Sequence, residues 1–155
     1  MSELYIRKLG RIRDEYDAAV GALAYVSANW HKQNIFNSEA LETSSIEEVR
    51  RAAANLESTY LIHIFSVFEG ILKGHLARNH PRIKVTDDVS AAWLIRCISG
   101  IKQYHINAQL RDKVHGVRKY RNYLVHQGGS MPAPVQLSEA LARLTTFVQR
   151  LPDPR

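Results

Sequence analysis

Residues 61–76, LIHIFSVFEGILKGHL, decide the fold, because their apolar side chains recur at every third or fourth position. This spacing is the period of an α-helix and places the apolar residues on one side of it. The stretch belongs to a longer segment that follows the serine pair at 44–45, which precedes the glutamate pair at 47–48 at capping-box spacing. We therefore predict a long helix from this cap toward His80, with Pro81 beyond its end. Its apolar face contains Leu61, Ile64, Phe65, Phe68, Leu72 and Leu76.

Four more helices are predicted from the same kind of pattern, and almost no segment alternates as a strand would. A first long helix covers about 3–33, after which NIFNSEALETS at 34–44 breaks the periodicity. A shorter helix covers about 88–102 and is opened by the sequence TDD, and a fourth runs from a cap at Asn107 to His126. The last helix covers about 137–151. We expect one domain over 1–155, an all-α antiparallel bundle of about five helices with two long core helices.

The composition points to a basic protein of the cytoplasm. The 155 residues are 45% hydrophobic, enough to bury one core, and 21 Lys and Arg against 15 Asp and Glu give a formal charge of +6. Such an excess favours polyanions or an acidic protein partner, and it is concentrated in RDKVHGVRKYR at 111–121. No apolar run approaches the roughly 18 residues of a membrane span, and the charged N-terminus does not resemble a signal peptide.

The sequence contains no motif that is typical of metal or cofactor binding. The single Cys97, in an apolar stretch, excludes an internal disulfide and a thiolate metal site, and we interpret it as a small core residue. No P-loop, dinucleotide fingerprint or nucleophile elbow is present, so we expect neither a cofactor nor a metal. The histidines outside the segment described next show no ligand spacing and are interpreted as non-ligands. They are His31, His63, His75, His80 and His105.

The segment RKYRNYLVHQGG, at 118–129, carries the unusual residues of the fourth helix. On a helical wheel Arg121 falls near the middle of the apolar arc, so a neighbouring helix or a partner should bury it. A buried guanidinium needs an anion or several acceptors, and we predict that Glu69 of the second helix faces it. Gly128 and Gly129 should end the helix. The apolar arc itself consists of Leu110, Val114, Val117, Leu124 and Val125.

A polar stripe lies beside this arc. Asn122 and His126 are four residues apart and share a face that also carries His115 and Arg118. Imidazole, amide and guanidinium groups together suit phosphodiester chemistry, in which a base takes a hydroxyl proton, an acid protonates the leaving oxygen and a cation binds the phosphate.

Structural interpretations of the same residues stay open. Arg121 can serve only as a structural ion pair, and His126 can be an imidazole stabilised by the helix dipole. The basic run, with Lys113 and Lys119, can be a solvated helix face. The tyrosines Tyr120 and Tyr123 can stack on unpaired RNA bases or pack on a neighbouring helix.

The six residues RNYLVH, from Arg121 to His126, resemble the Arg, polar residue, three residues, His motif of HEPN domains. These domains are small all-α proteins with two long core helices and the motif near the end of a later helix. The FEGIL sequence around Glu69 also resembles their second core helix, so that the likeness covers about 3–130.

This resemblance implies a metal-independent endoribonuclease, often a toxin or an antiviral defence effector, that acts as a homodimer with both motifs in one cleft. Arg121 would bind the scissile phosphate, His126 would be the general acid or base, and Asn122 would orient His126 or the phosphate. The 2′-hydroxyl of RNA would attack its own phosphate and leave a 2′,3′-cyclic phosphate. Two chains would supply both the acid and the base that the reaction needs.

One position departs from part of this family. In HEPN toxins that pair with a nucleotidyltransferase antitoxin, a tyrosine stands where this sequence has Gly128, so we do not predict that partner. Another antitoxin or a defence-system protein remains a candidate partner. The alternative function is a non-catalytic helical module that dimerises or binds another protein, and a third is plain nucleic-acid binding through the basic segment.

Overall fold

The computed structural model of the chain describes residues 3–31, 45–126 and 130–152, and these residues form helices and no strand. The predicted all-α fold is therefore confirmed. The predicted break at 34–44 and the glycine stop at 128–129 lie outside the described residues. The α-helices are α1 (Glu3–Ala28), α2 (Ile46–Asn79), α3 (Ala91–Ser99), α4 (Ala108–His126) and α5 (Leu137–Val148), and a 3-10 helix, Lys102–Tyr104, precedes α4.

Two of the predicted helix caps are formed. The Ser45 side chain accepts a hydrogen bond from the Glu48 backbone N–H at 3.2 Å, and the Glu48 carboxylate accepts one from the Ser45 N–H at 2.6 Å. This is the reciprocal capping box that the sequence predicts for α2. At the start of α4, the Asn107 side-chain oxygen accepts from the Leu110 N–H at 2.8 Å.

Helix α3 is shorter than predicted. The sequence TDD was expected to open it near Asp88, but the carboxylate of Asp88 accepts a hydrogen bond from Thr86 instead, which lowers the pKa of that carboxyl. This local turn delays the helix until Ser90, whose side chain accepts from the Trp93 N–H at 3.3 Å. The helix then ends at Ser99, three residues before the predicted end.

Helices α1 and α5 also end earlier than predicted. At the end of α1, the Tyr25 carbonyl accepts both the Asn29 backbone N–H, at 3.1 Å, and the Asn29 side-chain amide, at 2.9 Å. Beyond α5, the Arg150 and Leu151 N–H groups bond carbonyls three residues back, as in a tightened last turn.

Contacts along α1 and α2 show that these two long helices are antiparallel. Tyr5, near the start of α1, accepts a hydrogen bond from the Arg78 guanidinium at 2.9 Å, near the end of α2. Tyr16, three turns further along α1, packs edge-on against Tyr60, with ring centroids 5.5 Å apart.

Helix α5 runs parallel to α2. The Glu57 carboxylate accepts from the Leu137 N–H at 2.8 Å, and Phe68 packs edge-on against Phe147 at a centroid distance of 5.5 Å. The second contact lies further toward the C-terminus of both helices than the first, so the two helices run in the same direction.

Helix α4 runs opposite to α5. Tyr120, late in α4, lies beside Gln136, just before α5 begins, whereas Arg143 in the middle of α5 reaches the Lys113 carbonyl at 3.5 Å. The four longer helices therefore alternate in direction, which confirms the predicted antiparallel bundle. Helix α2 contacts all the others. No helix within the described ranges is long and apolar enough to cross a membrane.

His75 of α2 is a fully buried polar side chain in this apolar core. Its Nε2 lies 2.8 Å from the Tyr104 hydroxyl, and its Nδ1 lies 3.3 Å from the Asn79 amide nitrogen. Burial, with smaller effects of His80 and Arg78, lowers the pKa of His75 from 6.5 to about 4. The folded protein thus keeps His75 neutral.

This burial predicts that stability falls in acid. Between pH 6.5 and 4 the unfolded chain protonates His75 and the folded protein does not, so the unfolded state binds more protons and the free energy of unfolding decreases as pH falls. The expected loss from this residue is about 3 kcal/mol. Urea titrations at several pH values should show a flatter pH dependence for His75→Gln than for the native chain.

The exposed His63 of α2 offers the control, since His63→Gln should keep the native pH dependence. Equal slopes for the native chain and His75→Gln between pH 4 and 6.5 would contradict a neutral buried imidazole.

Candidate functional site: a basic cleft at the end of helix α4

The burial of α4 follows most of the predicted apolar arc. Val114 and Val117 are fully buried, and Leu110 and Leu124 are half-buried against the core. Val125 was predicted in the same arc but is 41% exposed. The reason is that Val125 is turned about 100° from Leu124, and at the end of the helix only one of the two faces the core.

Arg121 lies half-buried in this apolar stripe, as predicted. Its Nη1 donates a hydrogen bond to the Asn122 side-chain oxygen at 3.2 Å. Its Nε is buried and has no acceptor among the described residues. A buried unsatisfied donor costs about 1–3 kcal/mol, so this guanidinium is not placed for stability.

The predicted pairing of Glu69 with Arg121 is wrong, because the described residues form no ion pair between them. Arg121 and Glu69 lie at different positions along the axis of α2. Tyr120, next to Arg121, lies beside Ser58 and Leu61, so this part of α4 packs near the first half of α2. Glu69 lies eight residues beyond Leu61, about 12 Å further along the helix axis.

An open cleft of about 450 Å³ lies at the C-terminal end of α4. We call it the α4 cleft. It brings together five of the predicted site residues and two residues of the following loop that the sequence analysis treated only as a connection. Its lining consists of Arg118, Lys119, Asn122, Tyr123, His126, Ser130 and Pro132.

The α4 cleft is lined by donors and cations, and no carboxylate of the described residues borders it. Arg118 lines the cleft, and its buried Nε has no acceptor among the described residues. The Asn122 side-chain oxygen accepts the hydrogen bond from Arg121, so the NH₂ group of Asn122 remains available as a donor. His126 is exposed at the last helical position, at the edge of the cleft.

His115 lies one turn before Arg118 and outside the cleft lining. Its Nδ1 is buried without a partner in the described part of the chain. Burial lowers the pKa of His115, and the neighbouring cations Arg118, Arg111 and Arg96 lower it further, against a smaller opposing effect of Asp112. An electropositive surface therefore extends from the α4 cleft toward α3.

Two predicted RNA-binding residues lie elsewhere. Tyr120 borders a separate hollow with Leu61 and Val135, so it packs between helices as the structural interpretation predicted. Lys113 is exposed and precedes Arg118, the first α4 residue of the cleft lining, by five positions. Its carbonyl contacts Arg143 of α5. Arg121 and Glu69 are also absent from the cleft lining.

Comparison of the chain with protein-family models, curated proteins and solved structures finds no match.

The geometry predicts that Arg121 is dispensable for folding. Arg121→Met keeps the unbranched apolar part of the side chain and removes a buried unsatisfied N–H, so the free energy of unfolding should stay within about 1 kcal/mol of the native value or increase. Glu69→Gln should change it by less than about 0.5 kcal/mol, because no ion pair is lost. Urea denaturation measures both.

A loss of about 3 kcal/mol or more in both variants would instead indicate a buried ion pair between the two residues. A double-mutant cycle with Arg121→Met and Glu69→Gln provides the check, since independent residues give additive changes.

Proposed function

We propose that the chain is a metal-independent endoribonuclease of the HEPN type that cleaves RNA in the α4 cleft. The observation that carries the proposal is the gathering of Arg118, Asn122 and His126 in one open cleft that no carboxylate of the described residues borders. As the resemblance implies, the protein would act in the cytoplasm as a toxin or antiviral defence effector, controlled by an antitoxin or another defence protein.

The proposed reaction uses the RNA's own 2′-hydroxyl as the nucleophile. His126 takes the proton of this hydroxyl, the oxygen forms a bond to the adjacent phosphorus, and the bond to the 5′-oxygen breaks. A general acid gives a proton to the 5′-oxygen as it leaves. The products are a 2′,3′-cyclic phosphate and a free 5′-hydroxyl, and DNA is resistant because it lacks the nucleophile.

Arg118 and Asn122 stabilise the phosphate in this scheme. The unsatisfied guanidinium of Arg118 and the free NH₂ of Asn122 donate to its oxygens as negative charge accumulates on them. Arg121 acts through Asn122, whose oxygen it holds, and is therefore a positioning residue. This assigns the phosphate contact to Arg118 where the resemblance would give it to Arg121.

Lys119 and Tyr123 extend the site along the RNA strand. Lys119 is exposed beside the cleft and attracts the flanking phosphates, while Tyr123 is half-buried with its ring available to stack on an unpaired base. Single-stranded RNA is the expected substrate, because stacking on Tyr123 needs a base that is free of its duplex partner.

A homodimer would complete the chemistry. Each chain offers the cleft one imidazole, whereas the reaction needs both an acid and a base. Two exposed apolar residues adjoin the cleft in the chain, Val125 before His126 and Met131 between Ser130 and Pro132, and they favour an interface there. A two-fold axis at this end of α4 would bring both His126 side chains together.

A nuclease assay tests the proposed reaction. Purified protein in EDTA should cleave a fluorescent single-stranded RNA, leave the matching DNA intact and fail on RNA whose 2′-hydroxyls are methylated. His126→Ala should reduce the cleavage rate by at least about 100-fold, the usual contribution of a general acid or base. Asn122→Ala and Arg118→Ala should also reduce it, and mass spectrometry should find the cyclic phosphate.

His63→Ala is the matched control, because it removes an exposed histidine of α2 outside the cleft and should keep full activity. Circular dichroism should show native helix content in every variant. Absence of cleavage by the native chain, or unchanged cleavage by His126→Ala, would contradict the ribonuclease and favour the non-catalytic interaction module.

The interface has its own test in Val125→Asp. This substitution places a charge beside the cleft and should shift sedimentation equilibrium toward the monomer, with a parallel loss of cleavage per chain. Val20→Asp on α1 is the control, because Val20 is 42% exposed and Val125 is 41% exposed. Equal self-association of the two variants would contradict an interface at the α4 cleft.

A further inference from the structure

A second cavity, of about 520 Å³, lies at the opposite end of the bundle from the α4 cleft. It is formed where the parallel helices α2 and α5 end and where the 3-10 helix precedes α4. We call it the Tyr104 cavity. Its lining consists of Arg78, Asn79, His80, Gln103, Tyr104, Arg150, Leu151 and Pro152.

A hydrogen-bonded chain of four side chains lies against this cavity. The Tyr104 hydroxyl lies 2.8 Å from the Nε2 of His75 and 2.5 Å from the Nε2 of His80. The Asn79 amide nitrogen lies 3.2 Å from the His75 carbonyl and 3.3 Å from the His75 Nδ1. These residues come from the end of α2 and from the 3-10 helix, and Tyr104 and His75 are buried.

The direction of every hydrogen bond among these four side chains follows from the contact between Asn79 and His75. Asn79 must direct its NH₂ group at the His75 carbonyl, so it also donates to Nδ1 and leaves the His75 proton on Nε2. His75 therefore donates to the Tyr104 oxygen, and Tyr104 donates to the Nε2 of His80. The Nδ1–H of His80 is then the ring's remaining donor.

Two arginines give the cavity a positive charge. Arg78 is held by the hydrogen bond from its Nη2 to the Tyr5 hydroxyl at 2.9 Å, and Arg150 follows α5. Neither forms an ion pair with a described residue, and no carboxylate of the described residues lines the cavity. Two guanidinium groups at one cavity repel each other unless an anion lies between them.

We propose that the Tyr104 cavity binds the phosphate group of a small phosphorylated ligand. Guanidinium forks match the oxygens of a phosphate, and the Nδ1–H of His80 adds a further donor. The volume is that of a site for a small molecule and exceeds the needs of a bare ion. Leu151 and Pro152 provide an apolar wall for the rest of the ligand. The site is independent of the ribonuclease proposal, because it shares no residue with the α4 cleft.

Residue-resolved NMR on the full chain tests this site with inorganic phosphate as the probe. Phosphate is titrated against ¹⁵N-labelled protein at constant ionic strength, and the resonances of Arg78, His80 and Arg150 should shift and saturate. Arg150→Gln should weaken this binding by about tenfold, as expected for the loss of a charged donor. Arg78→Gln should weaken phosphate binding as well. Because Arg78 also donates a hydrogen bond to Tyr5 in the fold, Arg150→Gln is the decisive variant.

Arg51→Gln is the matched control, since Arg51 is exposed at the other end of α2 and should leave phosphate binding unchanged. Arg118→Gln separates the two sites, because it should abolish phosphate-induced shifts at His126 and preserve those at His80. Failure of the His80 and Arg150 resonances to saturate, equal binding by Arg150→Gln, or equal affinity for acetate would overturn the proposal.

Discussion

The burial of α2 is the constraint on which the rest of the structure depends. This helix contacts each of the other helices, and its buried residues extend from Val49 to Leu76. A helix that is covered on several sides has apolar residues beyond one narrow stripe, as the buried neighbours Ile64 and Phe65, about 100° apart around the helix, illustrate. Because the other helices all pack against α2, their positions along its axis determine which of their residues lie beyond the core.

The two ends of the bundle follow from this arrangement. The longer helices alternate in direction, so the end of α4 meets the start of α5, while the ends of α2 and α5 meet each other. At each of these ends the core stops and cationic side chains remain, Arg118 and Lys119 at one and Arg78 and Arg150 at the other. Basic side chains among the described residues are thus not confined to 111–121, where the sequence concentrates its charge excess.

Local sequence signals predicted the fold because they depend on neighbouring residues. The capping box of Ser45 and the Asn107 cap act over three positions, and the helical period acts over four. The start of α3 was missed because Thr86 and Asp88 form a turn that competes for the same capping residues. Both signals are local, and the spacing of the capping residues alone does not decide between them.

The sequence predicted the site only in part, since register between helices is not a local property. The spacing of Arg118, Asn122 and His126 on one face was sufficient to place them in one cleft. The pairing of Glu69 with Arg121 required the register of α4 on α2, which no motif specifies. The contact of Tyr104 with His75 and His80 spans 29 and 24 residues, and spacing rules for ligands look only at near neighbours.

The unsatisfied donors of α4 argue that this helix is shaped by something other than stability. The Nε atoms of Arg118 and Arg121 are buried without an acceptor in the described part of the chain, and the Nδ1 of His115 is buried there without a hydrogen-bond partner. Each such group costs about 1–3 kcal/mol, against a total stability of about 5–15 kcal/mol for a domain of this kind. Apolar side chains of similar size would remove the cost at once. Three such polar atoms on successive turns of one helix therefore lower the stability of the fold, and core packing alone does not account for them.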